Sequence, residues 1–149
     1  MKAKIVALHN KYRAEVGVPP VTWSNTVQES SEKWALHLAE DEGLRMVHAG
    51  SKNPYGENLS GGPGVWSTDK DARTALQYAV TSFGNEKHDY KDMPITVDSH
   101  FYQYGHYTQM VWRTTTEIGC GVAKREDIPG YIAVCRYNPR GNMIGQKPY

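Results

Sequence analysis

Two of the six histidines stand apart from the rest by their setting. His48 immediately precedes a glycine-rich stretch, GENLSGGPG at 56–64, that carries Glu57, and His106 lies in GHYTQMVW at 105–112. Two imidazoles and one or two carboxylates converging from separate loops could bind a divalent ion such as zinc with open coordination positions, or act as an acid/base pair. Spacing alone leaves both chemistries open. His9 and His37 fall within helical patterns, where a packing or surface role is the expectation. The chain contains no HExxH, no G-x-S-x-G elbow and no P-loop, and neither cysteine has the context of a thiol nucleophile.

These residues need elements to position them. Ile5, Leu8, Tyr12 and Val16 recur at helical spacing over 3–16, and Gly17, Pro19 and Pro20 supply a stop. A second helix is predicted from Thr26 to Leu38, with Thr26 and Glu29 as a capping box and Gly43 past its end. The composition of 48–64 reads as an irregular loop. A third helix is predicted from Thr68 to Phe83, ended by Gly84, and 85–104 reads as a long ordered loop rich in aromatics. Ile118, Cys120 and Val122 alternate, as do Tyr131, Ala133, Cys135 and Tyr137, so an antiparallel hairpin is expected around Pro129 and Gly130.

Composition narrows the classes. At 149 residues the chain has the length of one domain and no linker divides it, so 1–149 reads as a single unit. Seventeen basic against sixteen acidic residues, interleaved, leave no electrostatic footprint for nucleic acid. No apolar run approaches the ~18 residues that a membrane-spanning helix needs. The apolar stretch in MKAKIVALHN stops at His9, short of the ~7–15 residues of a signal-peptide core, so a secreted form would be the mature one. Cys120 and Cys135 are too few for a disulfide scaffold and wrongly spaced for a zinc knuckle. They are either bridged across the hairpin or two buried thiols.

GHYTQMVW at 105–112 and CRYNPRGN at 135–142 resemble the two signature segments of the CAP superfamily of cysteine-rich secretory, antigen-five and pathogenesis-related class-one proteins. HNKYR at 9–13 and YGENL at 55–59 resemble two further segments, and Phe83, Glu86 and Tyr90 are similar to the family's W-x-x-E-x-x-x-Y with Phe for Trp. The ending NPRGNMIGQKPY is most like the pathogenesis-related branch.

The resemblance implies an α+β fold, an α-β-α sandwich with a central antiparallel sheet between helical layers. It places the family's cavity tetrad on His48, Glu57, Glu86 and His106, where the histidines can hold zinc or another divalent cation and the acids orient them. The alternative is a polar network that ties loops to the core. It implies that Cys120 pairs with Cys135 and that the protein is secreted. Members carry sterols or fatty acids, some relatives having a further lipid slot between helices. The expected contact surface, with membrane lipid as a possible partner, is therefore the 87–104 loop with Tyr90, Met93, Phe101, Tyr102 and Tyr104. Proteolysis has been suggested for relatives, so a metal-dependent hydrolase using the tetrad is the alternative function. Residues 139–149, PRGNMIGQKPY, match the form of a releasable defence-signalling peptide, although Arg136 stands where the family usually has Asn.

Overall fold

The computed structural model describes residues 1–66 and 71–149. Helix α1 (Lys2–Glu15) follows the predicted pattern, and Gly17 turns the chain with φ of 71°, a conformation glycine adopts at little steric cost. Its buried face is less apolar than its spacing suggests, because His9 and Arg13 share it with Ile5 and Tyr12. Each polar group is satisfied. His9 Nδ1 lies 2.8 Å from the Ile5 carbonyl and Nε2 lies 2.8 Å from the Tyr137 hydroxyl. Arg13 donates to the carbonyls of Pro19, Met110, Trp112, Arg113 and Thr115. A guanidinium with five N–H donors can match that many acceptors, which makes its burial tolerable.

The short strand β1 (Thr22–Trp23) leads into helix α2 (Asn25–Glu40). Ser24 is the N-cap, its hydroxyl accepting from the Val27 N–H at 3.2 Å, and the expected box of Thr26 and Glu29 is not used. Ser24 is the last extended residue after β1, so it, rather than Thr26, faces the free N–H groups. Residues 56–63, read as part of an irregular loop, form strand β2 (Gly56–Pro63). Its glycines signal closeness: a Cβ at Gly61 would stand 2.1 Å from the Tyr131 carbonyl.

Helix α3 (Ala72–Asn85) is capped by Asp71, which accepts from the Thr74 N–H at 2.9 Å; the predicted start at Thr68 lies outside the described residues. A 3-10 turn (Glu86–Asp89) follows, and the supposed loop through 104 gives way to helix α4 (Phe101–Met110). That helix was hidden because it buries Tyr104, Gly105, Tyr107, Thr108, Gln109 and Met110 and so offers no clean polar face. The hairpin is formed as expected by β3 (Glu117–Ala123) and β4 (Gly130–Asn138). Cys120 and Cys135 stand opposite one another in its register and are joined as a disulfide.

The sheet order is β1-β3-β4-β2. It is mixed rather than wholly antiparallel, because β1 runs parallel to β3. Alternation along β4 divides the interior into two layers. Ile132 and Val134 join Ala35, Leu38 and Leu59 on the α2 side, while Ala133, Cys135 and Tyr137 join Ile5, Leu76, Phe83 and Met110 on the other. Helix α2 lies very close to β3: a Cβ at Gly119 would stand 2.2 Å from the Gln28 amide nitrogen, and one at Gly121 2.7 Å from Glu32 Cα. The α-β-α sandwich is therefore observed, with α2 on one face and α1, α3 and α4 on the other.

Candidate functional site

Four elements deliver the tetrad. His48 lies in the segment after α2, Glu57 on β2, Glu86 in the turn after α3, and His106 on α4. They form two imidazole–carboxylate pairs. His48 Nδ1 is 2.8 Å from Glu57 Oε1, and His106 Nδ1 is 2.7 Å from Glu86 Oε2. Glu86 Oε1 also accepts from the backbone N–H groups of His106 and Tyr107, at 3.0 and 3.3 Å. The His106 ring stacks on Phe83 with centroids 4.8 Å apart. An ionised carboxylate only accepts, so each Nδ1 carries a proton, and in the neutral ring each Nε2 keeps a bare lone pair.

Glu57 is the most enclosed of the four, its side chain only 5% exposed. Its Oε1 also accepts from the Ala49 N–H at 3.2 Å, and its Oε2 receives Arg136 Nε at 3.0 Å and Arg136 Nη2 at 2.9 Å. Burial pushes the Glu57 pKa upward. The His48 hydrogen bond, the Arg136 charge and the Ala49 amide outweigh it, so the carboxyl titrates below its ordinary range. Arg136 stands opposite Glu57 in the β2–β4 register and also donates to the Ser30 hydroxyl. Its part in the site was missed from sequence, where it registered only as a departure from the family. The available signal was a charged residue within the buried run of β4, which demands an acidic partner.

His48, Glu57 and His106 line one cavity of about 360 Å³, with Glu86 behind His106. Phe101 and Tyr102 stand in its wall, Phe101 half-buried and Tyr102 82% exposed. The other expected contact residues sit elsewhere. Tyr90 and Tyr104 are buried in the core, and the half-buried Met93 packs against that core. The Tyr90 hydroxyl donates to the Met93 carbonyl at 2.8 Å. These side chains fasten the loop down, and only Phe101 and Tyr102 reach the cavity.

The tail is also fastened. The Gly141 N–H donates to Gln109 Oε1 at 3.0 Å, Asn142 Nδ2 to the Gly105 carbonyl at 2.8 Å, and the Ile95 N–H to the Gln146 carbonyl at 2.9 Å. Tyr149 meets Tyr90 edge-on at 5.9 Å.

The two oriented imidazoles suit a metal in the manner of carboxylate–histidine pairs. Among the described residues, however, no group of three or more His, Cys, Asp or Glu converges as a metal site. The described residues offer this site two nitrogen ligands, and the remaining positions would fall to water or a bound molecule. Among the described residues no serine, threonine or cysteine side chain is hydrogen-bonded to His48 or His106, so no nucleophile is paired with a base in the cavity.

Comparison with known proteins agrees with this architecture. The family model for the cysteine-rich secretory protein family, CAP, matches residues 6–137. The chain is 42% identical over 140 residues to pathogenesis-related protein PRMS of Zea mays, covering 94% of this chain and 77% of that protein. It is 40% identical over 141 residues to pathogenesis-related protein 1B of Nicotiana tabacum, covering 95% and 76%. Secreted protein RBT4 of Candida albicans is 36% identical over 146 residues, covering 97% of this chain but 36% of that protein. Among solved structures, NaASP2 with Zn2+ superposes with a TM-score of 0.77 at 23% identity, covering 99% of this chain and 84% of that one. The chain therefore belongs to the CAP family of cysteine-rich secretory proteins, and its relatives include the pathogenesis-related class-one proteins of plants.

Proposed function

We propose that this is an extracellular defence or host-interaction protein that binds sterol or another lipid, with a cavity that takes a divalent cation on His48 and His106. One observation carries the reading: both histidines have Nδ1 committed to a carboxylate and line a single cavity whose wall includes Phe101 and Tyr102. Bare Nε2 nitrogens are ligands for zinc, which when bound supplies a Lewis acid. Glu57 and Glu86 hold the ring orientations, and Arg136 holds Glu57. The aromatic faces of Phe101 and Tyr102 offer flat apolar area to a lipid.

Kinship supports the extracellular and defence reading, since relatives are named pathogenesis-related or secreted proteins. A structural neighbour solved with Zn2+ supports the cation. Two exposed apolar side chains on adjoining segments support membrane lipid as the source of ligand. Val97 and Ile144 lie within two residues of the pairing between Ile95 and Gly145 and are 80% and 70% exposed. Residues 139–149 are further proposed to be a releasable peptide, whose release requires the bonds of Gly141, Asn142 and Gln146 to open first.

The test is native mass spectrometry of the purified protein after exposure to a sterol and fatty-acid extract, paired with calorimetric titration of Zn2+. A stoichiometric lipid adduct, and a Zn2+ site lost on His48→Ala, are expected. Folded protein that takes up neither would overturn the reading.

A further inference from the structure

The cavity's unspent polar groups define the chemistry of what fits there. Its asparagines are already committed. Asn53 bonds the Tyr55 backbone, Asn58 bonds the His106 carbonyl and the Tyr137 hydroxyl, and Asn142 bonds Thr108 and the Gly105 carbonyl. The Glu57 charge is matched by Arg136, and Glu86 is engaged by His106 and two backbone amides. The hydroxyls of Ser51, Tyr55 and Tyr102 also line the cavity and suit any polar ligand, and two more selective kinds of group are left. The Nε2 atoms of His48 and His106 are lone-pair donors that call for a Lewis acid. Arg140 lines the cavity, is exposed, and makes no ion pair or side-chain hydrogen bond among the described residues, so it calls for an anion.

No neutral ligand answers both demands, and a cation alone answers only one. Two histidines also leave a divalent ion short of ligands, with no third protein group converging among the described residues. An anionic head group supplies oxygens for the ion and a partner for Arg140, and an attached apolar chain would cover Phe101 and Tyr102.

Resting on the cation reading above, we propose that the cavity takes a divalent cation and an anionic amphiphile together. The carboxylate or phosphate of the amphiphile joins the guanidinium of Arg140 to a cation on His48 and His106. The two ligands are then thermodynamically coupled, and each must tighten the other by the same factor.

The experiment titrates Zn2+ into the whole chain by calorimetry, alone and with saturating decanoate, decyl phosphate or decanol, and then titrates each amphiphile with and without Zn2+. Titrations lacking protein subtract direct pairing of Zn2+ with the amphiphiles. About tenfold tighter Zn2+ binding is expected with at least one anionic probe, the reciprocal titration giving the same factor, and no gain is expected with decanol. The larger gain, from decanoate or from decyl phosphate, identifies a fatty acid or a lipid phosphate as the head group. Arg140→Gln keeps Zn2+ binding in the absence of amphiphile and loses most of the coupling, and Arg140→Lys recovers part of it. The proposal is overturned by Zn2+ binding that neither anionic probe changes, by an equal gain with decanol, or by coupling that survives Arg140→Gln. Wild-type protein that binds no Zn2+ in any arm removes the cation reading itself, and this proposal with it.

Discussion

Replacing Arg136 by Gln tests whether the Glu57 side of the cavity is held by a buried ion pair. The side chains of Arg136 and Glu57 are 8% and 5% exposed and meet at 2.9 Å. Removing one partner of such a pair costs about 3–5 kcal/mol, because the other charge is left in a poorly solvated place. Glu57 keeps its bonds from His48 and the Ala49 N–H, which puts the loss at the lower end, about 3 kcal/mol. For a chain of 149 residues that is a fall in Tm of roughly 6–12 °C.

The pH dependence gives the sharper check. The Glu57 pKa is depressed in the native protein below its ordinary value of 4.5, so its contribution is present above that value and is lost as pH falls through the lower native one. In the variant, burial acts with less opposition, and the carboxyl protonates at a higher pH than in the wild type. The stability gap is therefore widest near pH 7 and narrows with acidification as Glu57 becomes neutral in both proteins. Circular-dichroism melts of wild type, Arg136→Gln, Glu57→Gln and the double variant from pH 7 down to pH 3 measure this. A loss under about 1 kcal/mol at pH 7, typical of exposed pairs, or a gap that stays constant with pH would refute the reasoning.

Three further outcomes follow from the geometry. His9 is fully buried, and desolvation outweighs its bond to Ile5 to lower its pKa from 6.5 to about 4. Between those values the unfolded chain binds the proton and the native one does not, so stability falls by up to about 3 kcal/mol from pH 7 to pH 4. Urea midpoints across that range measure the slope, and His9→Gln flattens it if His9 is its source. Gly119→Ala forces a methyl group to within 2.2 Å of the Gln28 amide nitrogen, and overpacking against a backbone costs about 1–3 kcal/mol. A melting temperature equal to wild type would show that α2 can retreat from β3. Reducing Cys120–Cys135, which closes a separation of 15 residues, removes about 3 kcal/mol on the chain-entropy estimate. Melts with and without a thiol reductant check it.

The first, second and third helices and the C-terminal hairpin were legible because each writes its own period into the chain. Apolar spacing over 3–16 and alternation at Ile118, Cys120 and Val122 depend only on neighbours. Strand β2 was not legible. Its glycine and asparagine content is locally a loop's, and it is a strand because eight positions pair with β4 and Leu59 is buried by that pairing. Helix α4 was obscured for the opposite reason, since the core meets it on several sides and erases the polar stripe.

Sequence alone determined which groups are available: two histidines set beside a glycine-rich stretch and within a signature segment, a glutamate in that glycine-rich stretch, and motifs that tie these residues to a family. The tertiary structure decided what those groups do. The pairing of Glu57 with Arg136, 79 residues apart, is a matter of register between β2 and β4. The separation of Phe101 and Tyr102, which reach the cavity, from Tyr90 and Tyr104, which do not, follows from which side of α4 and its preceding loop the core covers. Local spacing is set by bonds a few residues long. Register and burial are set by contacts between segments far apart in the chain, and their geometry exists only once the layers have packed.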